Sequence, residues 1–326
     1  MHRVVITGIG AWTAYGPSWE ACLAGVAARQ HAFSPFGKRM PERPDLHAGL
    51  VHKLAPFRPL FPQVKPPLPS ALSRMLLVAT KEALTSAELD PSEQRPEIGM
   101  YVNRNRGPSS IVSKVLLPVL RKGPKKMSPL KFSRTVANAP LGVATTVLGL
   151  RGPGLLTMGG GAVMVGWDAV RAGLAGPIVC AGIDEIDGHT FQAGIDNGHF
   201  AGVTTVEGYR PGTEGSCLPI PGEAAVSLVL ETGASADARG VSPLARCLSV
   251  ERALDPNVHA RPELTGWGAA TGAGLQSVCQ RALDQATISA SQLHLHVGGQ
   301  NGAPAIDAAE TAMLAGLGRS DLAQDS

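Results

Sequence analysis

The chain has 326 residues, 44% hydrophobic and 17% charged, enough apolar side chain for a large buried core and far from the make-up of a disordered or fibrous protein. Its net charge of +3 is too small to argue for nucleic acid, and its most apolar runs, such as AGPIVCAGI at 175–183, have the length of a buried strand, short of the ~18 consecutive apolar residues of a membrane span. The five cysteines, Cys22, Cys180, Cys217, Cys247 and Cys279, are odd in number and contain no CxxC pair, so neither a disulfide framework nor a thiolate zinc site is signalled and a reduced, cytoplasmic setting is expected.

The start, MHRVVITGIG, reads directly into a strand at 3–7, without the apolar stretch and cleavage site of a secretory signal. Gly8 and Gly10 read as the turn after it, and the apolar spacing over 17–28 as a helix. Between 34 and 70 the prolines at 35, 41, 44, 56, 59, 62, 66, 67 and 69 break both helix and central strand, which predicts an irregular surface excursion. A helix opened by Ser70 covers 70–89 and a strand 97–103. From Arg104 to Arg134 the chain then carries nine Lys or Arg and no acid. A helix is predicted at 136–150, a strand at 155–158, a helix at 159–176 after a triple glycine, and strands at 177–186 and 224–231. The polar TGASADARG at 232–240 reads as a linker, dividing the chain into 1–232 and 233–326. Beyond it come a strand at 244–250, a helix at 266–286, a strand at 292–299 and a helix at 307–318. Strands alternating with helices predict an α/β fold with parallel sheets covered on both faces.

Gly8-Ile9-Gly10 after a strand matches part of a dinucleotide-binding turn, but the third glycine would fall on Thr13 and no acid follows ~20 residues on, so that reading stays remote. Seven strings, in order, carry a different signal: RVVITGIGAWTAYG at the start, SPLKFSRTVANAPLG at 128–142, GLRGP at 149–153, AGIDEI at 181–186, YRP at 209–211, PGEAAVSLVLE at 221–231 and NGAPAIDAAE at 301–310. Together they resemble the β-ketoacyl-acyl-carrier-protein synthases, or ketosynthases, over nearly the whole chain. The resemblance implies a thiolase-like α/β fold of two βαβαβ-type halves, the carboxyl-terminal one (233–326) incomplete here, usually dimeric and using no cofactor.

The family's catalytic cysteine follows GLRGP and a strand, at the start of a buried helix whose amino terminus favours a thiolate. In this chain that position falls on Gly159, and the glutamine found there in chain-length-factor relatives is absent too. Counted back from Asp307 and Glu310 through Pro304, the family's first catalytic histidine falls on Gly299, and the second histidine and lysine lie in a segment this sequence does not reach. The gating phenylalanine corresponds to the run Cys217, Leu218, Pro219, so Met158, Cys217 and Pro219 are the candidates lining a reshaped pocket. The resemblance makes Leu155, Leu156, Thr157 and Met158 the strand that pairs subunits. Arg121, Lys122, Lys125, Lys126 and Lys131 are candidates for docking an acidic acyl carrier protein. The expectation is a non-condensing, chain-length-factor-like partner of an active ketosynthase, with a homodimer as the other pairing. The alternative is an acyl-transferring or acyl-binding enzyme of the same fold with a relocated nucleophile such as Cys217.

Overall fold

The computed structural model describes residues 1–51, 57–93, 97–106, 108–207, 218–253, 272–299 and 304–324. They divide into two compact units, Met1–Ser34 with Ala48–Asp187 and Gly222–Cys247, and Pro35–His47 with Gly188–Pro221 and Leu248–Ser326. In chain order the elements are β1 (Val4–Thr13), α1 (Trp19–Ala27), β2 (Ser34–Pro35), β3 (His47–Ala48), α2 (Phe57–Leu60), α3 (Ala71–Ser86), β4 (Gly99–Asn103), α4 (Ser109–Lys122), α5 (Pro129–Phe132), α6 (Ala139–Leu148), β5 (Gly154–Thr157), α7 (Gly161–Arg171), β6 (Ile178–Asp184), α8 (Gly188–Asp196), β7 (Ala224–Thr232), α9 (Gly233–Arg239) and β8 (Ala245–Arg246). Two further helices among the described residues are α10 (Ala273–Ala286) and α11 (Pro304–Gly316).

The first unit is built on a six-stranded sheet in the order β5-β4-β6-β7-β1-β8. β4 runs parallel to β5 and β6, whereas β7 is antiparallel to β6 and β1, and β1 is antiparallel to β8. The parallel arrangement expected of the whole chain therefore holds for three strands and the sheet is mixed. Parallel neighbours need a covering crossover helix. β7 instead returns from the segment that builds part of the second unit, and is free to run the other way.

β1 continues through Gly8 and Gly10, so the turn expected there is absent. The reason lies in α3, whose buried face carries Leu72, Met75, Leu76, Leu77, Val78, Ala79, Ala83 and Leu84. A Cβ on Gly8 would stand 2.0 Å from the Ala83 carbonyl oxygen and one on Gly10 2.2 Å from that of Ala79. Those glycines let a helix backbone lie directly on the strand. Without a strand-to-helix turn at Gly8-Ile9-Gly10, the pyrophosphate cradle of the dinucleotide reading does not form.

The proline-rich stretch is not purely superficial: Val51, Phe57 and Phe61 enter the core under α3, and the two phenylalanine rings stack at 5.0 Å. Nor is 232–240 a linker. Thr232 caps α9 by accepting from the Ser235 N–H, Gly240 ends it at φ 71°, and Arg239 pairs with the buried Glu231 at 2.5 Å, so the first unit runs on to Cys247. α7 begins at Gly161, two residues later than expected, because Gly159 and Gly160 take left-handed φ values of 75° and 91°.

In the second unit Phe36 stacks on Phe191 of α8 at 4.8 Å, and Met313, Leu314 and Leu322 form a small cluster with Cys279, Leu293 and Leu317. The strand expected at 292–299 joins no ladder among the described residues, and that at 244–250 shrinks to the two residues of β8. The alternation Leu293, Leu295, Val297 is genuine, but a strand is stabilised by a neighbour, and Val297 is left 84% exposed.

Candidate functional site

In sheets of this kind ligands bind beyond the carboxyl ends of the parallel strands, here the ends of β4, β5 and β6. β5 closes on Thr157, Met158 and Gly159 turn sharply, and α7 leaves at Gly161. This strand–turn–helix is the geometry of a nucleophile elbow, in which the apex residue stands clear of its surroundings. The apex is Gly159, where an added Cβ would meet nothing within 4 Å. Room for a side chain exists; the side chain does not.

The turn is held by a polar run that follows β4. Asn103 Oδ1 accepts from Gly160 N at 2.8 Å, Gly161 N at 3.2 Å and Thr157 Oγ1 at 3.2 Å, and Asn105 Oδ1 accepts from Gly159 N at 3.0 Å. Asp184, at the end of β6, accepts from Arg106 N at 3.0 Å and Asn105 N at 3.3 Å. Between them Arg104 is only 2% exposed and donates to the carbonyls of Arg106 at 2.7 Å and Ala137 at 2.9 Å. Next to Asp184, Glu185 is buried and accepts from Ser110 Oγ at 2.7 Å; burial pushes its carboxyl above the usual range. Sequence reasoning passed over Asn103, Arg104, Asn105 and Asp184. The available signal was the polar run NRNR directly after the buried GMYV.

Gly299 lies in the second unit, where the Glu310 carboxylate accepts from its N–H at 3.0 and 3.1 Å. His296 Nε2 stands 2.8 Å from the same carboxylate and donates to it in the Nε2-protonated tautomer. A Cβ on Gly299 would also meet nothing within 4 Å. His296 thus neighbours Gly299 in sequence and is held by its hydrogen bond to Glu310.

Met158 adjoins the elbow and is 69% exposed, while Pro219 belongs to the second unit and accepts from Ala201 N at 3.1 Å. Cys217, and the YRP string with it, lies outside the described residues. Cys180 is buried in β6 with its thiol pushed up to about 12, first by burial and then by Cys247, as befits an inert core residue. β5 is an edge strand whose outer side pairs with no other strand among the described residues, and Leu155, Leu156 and Thr157 are half-buried. The basic run divides: Arg104 is interior and Arg134 donates to the carbonyls of Leu68 and Pro67 at 2.8 and 3.1 Å, whereas Arg121, Lys122, Lys125, Lys126 and Lys131 are exposed. No helix among the described residues is long and apolar enough to cross a membrane.

Residues 1–236 match the model of the β-ketoacyl synthase amino-terminal domain. The chain belongs to the β-ketoacyl synthase family. It is 25% identical to 3-oxoacyl-[acyl-carrier-protein] synthase 2 of Staphylococcus aureus, over 88% of this chain and 70% of the relative. It is 27% identical to the actinorhodin polyketide putative beta-ketoacyl synthase 2 of Streptomyces coelicolor, over 94% of this chain and 75% of that one. The fold is shared with the ishigamide ketosynthase/chain length factor at a TM-score of 0.81 and 22% identity, covering 97% of this chain and 77% of that one. It is shared also with a type II acyl-carrier protein–ketosynthase complex, AntDE:AntF, at a TM-score of 0.77 and 16% identity, covering 98% and 78%. The fold is accordingly thiolase-like, as the seven strings implied.

Proposed function

We propose that this chain is a non-condensing ketosynthase homologue serving as the partner subunit, in the manner of a chain length factor, of an active ketosynthase in type II fatty-acid or polyketide assembly. The observation that carries the reading is Gly159: the elbow between β5 and α7 keeps its shape while its apex has nothing to acylate. Gly299 likewise offers no base and no donor side chain. Loss of a nucleophile that works as a unit with its base costs on the order of a millionfold in turnover, so condensation depends on the partner's site.

Two surface features support the role. Among the described residues no strand pairs with the outer side of β5; the N–H and C=O groups of such an edge have to be covered or paired, and Leu155 to Met158 are the segment that a partner strand extends. Exposed Leu116, Leu120 and Phe132 add apolar surface to the same unit. The cations Arg121, Lys122, Lys125, Lys126 and Lys131 dock the acidic carrier protein by electrostatic steering.

The test is sedimentation of the chain alone and co-expressed with a complete ketosynthase encoded beside it. A stable heterodimer is expected, with partner burial of about 2,000 Å² or more as in permanent complexes. A soluble monomer under both conditions refutes the role, and a homodimer that takes up no ketosynthase replaces it with self-pairing.

A further inference from the structure

We infer that Asn103 and Asn105 are positioning residues that silence position 159 a second time, independently of its missing side chain. A thiolate at such an apex is stabilised by the N–H groups of the turn and the first residues of the helix. In this chain those donors are taken. Asn105 Oδ1 holds Gly159 N at 3.0 Å, and Asn103 Oδ1 holds Gly160 N at 2.8 Å and Gly161 N at 3.2 Å. All three partners are donors, so it is the oxygen of each carboxamide that faces the turn.

Both side chains are delivered by rigid parts of the fold. Asn103 is the last residue of β4 and stands in ladder register with Thr157 of β5, whose hydroxyl donates to the same Oδ1 at 3.2 Å. Asn105 is fixed through its backbone, with its own N–H and that of Arg106 on Asp184, while the buried Arg104 bonds the Ala137 and Arg106 carbonyls on either side of it. Neutral amide oxygens therefore take the N–H donors that a negative charge would need, and restoring sulfur alone leaves an ordinary thiol. The choice of position 159 as the apex rests on the reading proposed above.

The experiment is the pH profile of iodoacetamide alkylation in Gly159→Cys, read by mass spectrometry on the peptide that contains position 159 so that the native cysteines do not contribute. With both asparagines present the midpoint is expected near the ordinary thiol value of about 8.5. Adding Asn103→Ala frees the N–H groups of Gly160 and Gly161 and lowers the midpoint by about one unit, a tenfold gain in thiolate below it. Adding Asn103→Asp keeps the acceptor, supplies a negative charge and raises the midpoint. Identical midpoints in the three proteins, or a depressed one with both asparagines in place, overturn the inference. Should Asn103→Ala not fold, the Asn103→Asp protein decides: a midpoint no higher than that of Gly159→Cys alone overturns it as well. Sedimentation does not depend on this thiol, so failure of the subunit role and failure of the inference are separately visible.

Discussion

The buried carboxyl of Glu185, just past the end of β6, gives the first unit a pH dependence that a single substitution can expose. Glu185 is raised chiefly by its removal from water; Glu223 and Asp187 push in the same direction, and the Ser110 hydroxyl and Arg104 oppose them. A carboxyl whose folded pKa lies above its unfolded value of about 4.3 contributes stability that is fully present below that value and lost as pH rises through the folded pKa. The urea midpoint of the native protein should therefore fall more steeply than that of Glu185→Gln as pH rises above the unfolded carboxyl value of about 4.3. Other carboxyls titrate in both proteins and cancel in the comparison; parallel slopes would remove Glu185 from the account.

At the scale of elements, the contact of α3 with β1 organises the first unit. Burial of a side chain such as Leu76 or Leu77 contributes about 1.5–3 kcal/mol, and α3 buries eight apolar residues between the sheet and its neighbouring helices. That packing needs the bare backbone of Gly8 and Gly10. Gly8→Ala sets a methyl 2.0 Å from the Ala83 carbonyl oxygen, and since that oxygen belongs to a helix backbone the helix as a whole must shift. Overpacking of this kind costs about 3 kcal/mol, read as a loss in the free energy of urea unfolding. A change under 0.5 kcal/mol would mean that α3 lies further from the strand than described. The same glycines, read along the sequence, look like a turn, because a pattern of residues carries no record of which helix later crosses it.

For the molecule as a whole, the absence of a nucleophile at the elbow predicts that an acyl donor leaves no covalent mark. Intact mass after incubation with an acyl-thioester should be unchanged. An adduct mapped to Cys217 would transfer the reading to an acyl-transferring enzyme with a relocated nucleophile. Cys180 is excluded from such a role by its burial in β6 and its raised pKa. The proposed subunit role draws on surface features of a different kind: among the described residues β5 ends the sheet with no strand on its outer side, and exposed Leu120 stands near the basic end of α4.

Family and fold class were legible in the sequence by itself. Glycine at 159 and 299 is a local fact, and the seven strings are read without any coordinates. Most helices and central strands were legible too, since periodicity and a cap such as Ser70 act over neighbouring residues. What the tertiary structure decided depends on residues far apart in the chain: the antiparallel return of β7, the role of Gly8 and Gly10, the helix at 233–239 tied to Glu231, and the lack of a ladder for 292–299 among the described residues. The carboxamides of Asn103 and Asn105 belong with these. They reach Gly159, Gly160 and Gly161 across more than fifty intervening residues because the parallel ladder of β4 and β5 sets Asn103 opposite Thr157, and hydrogen-bond partners chosen by a ladder cannot be read from either segment alone.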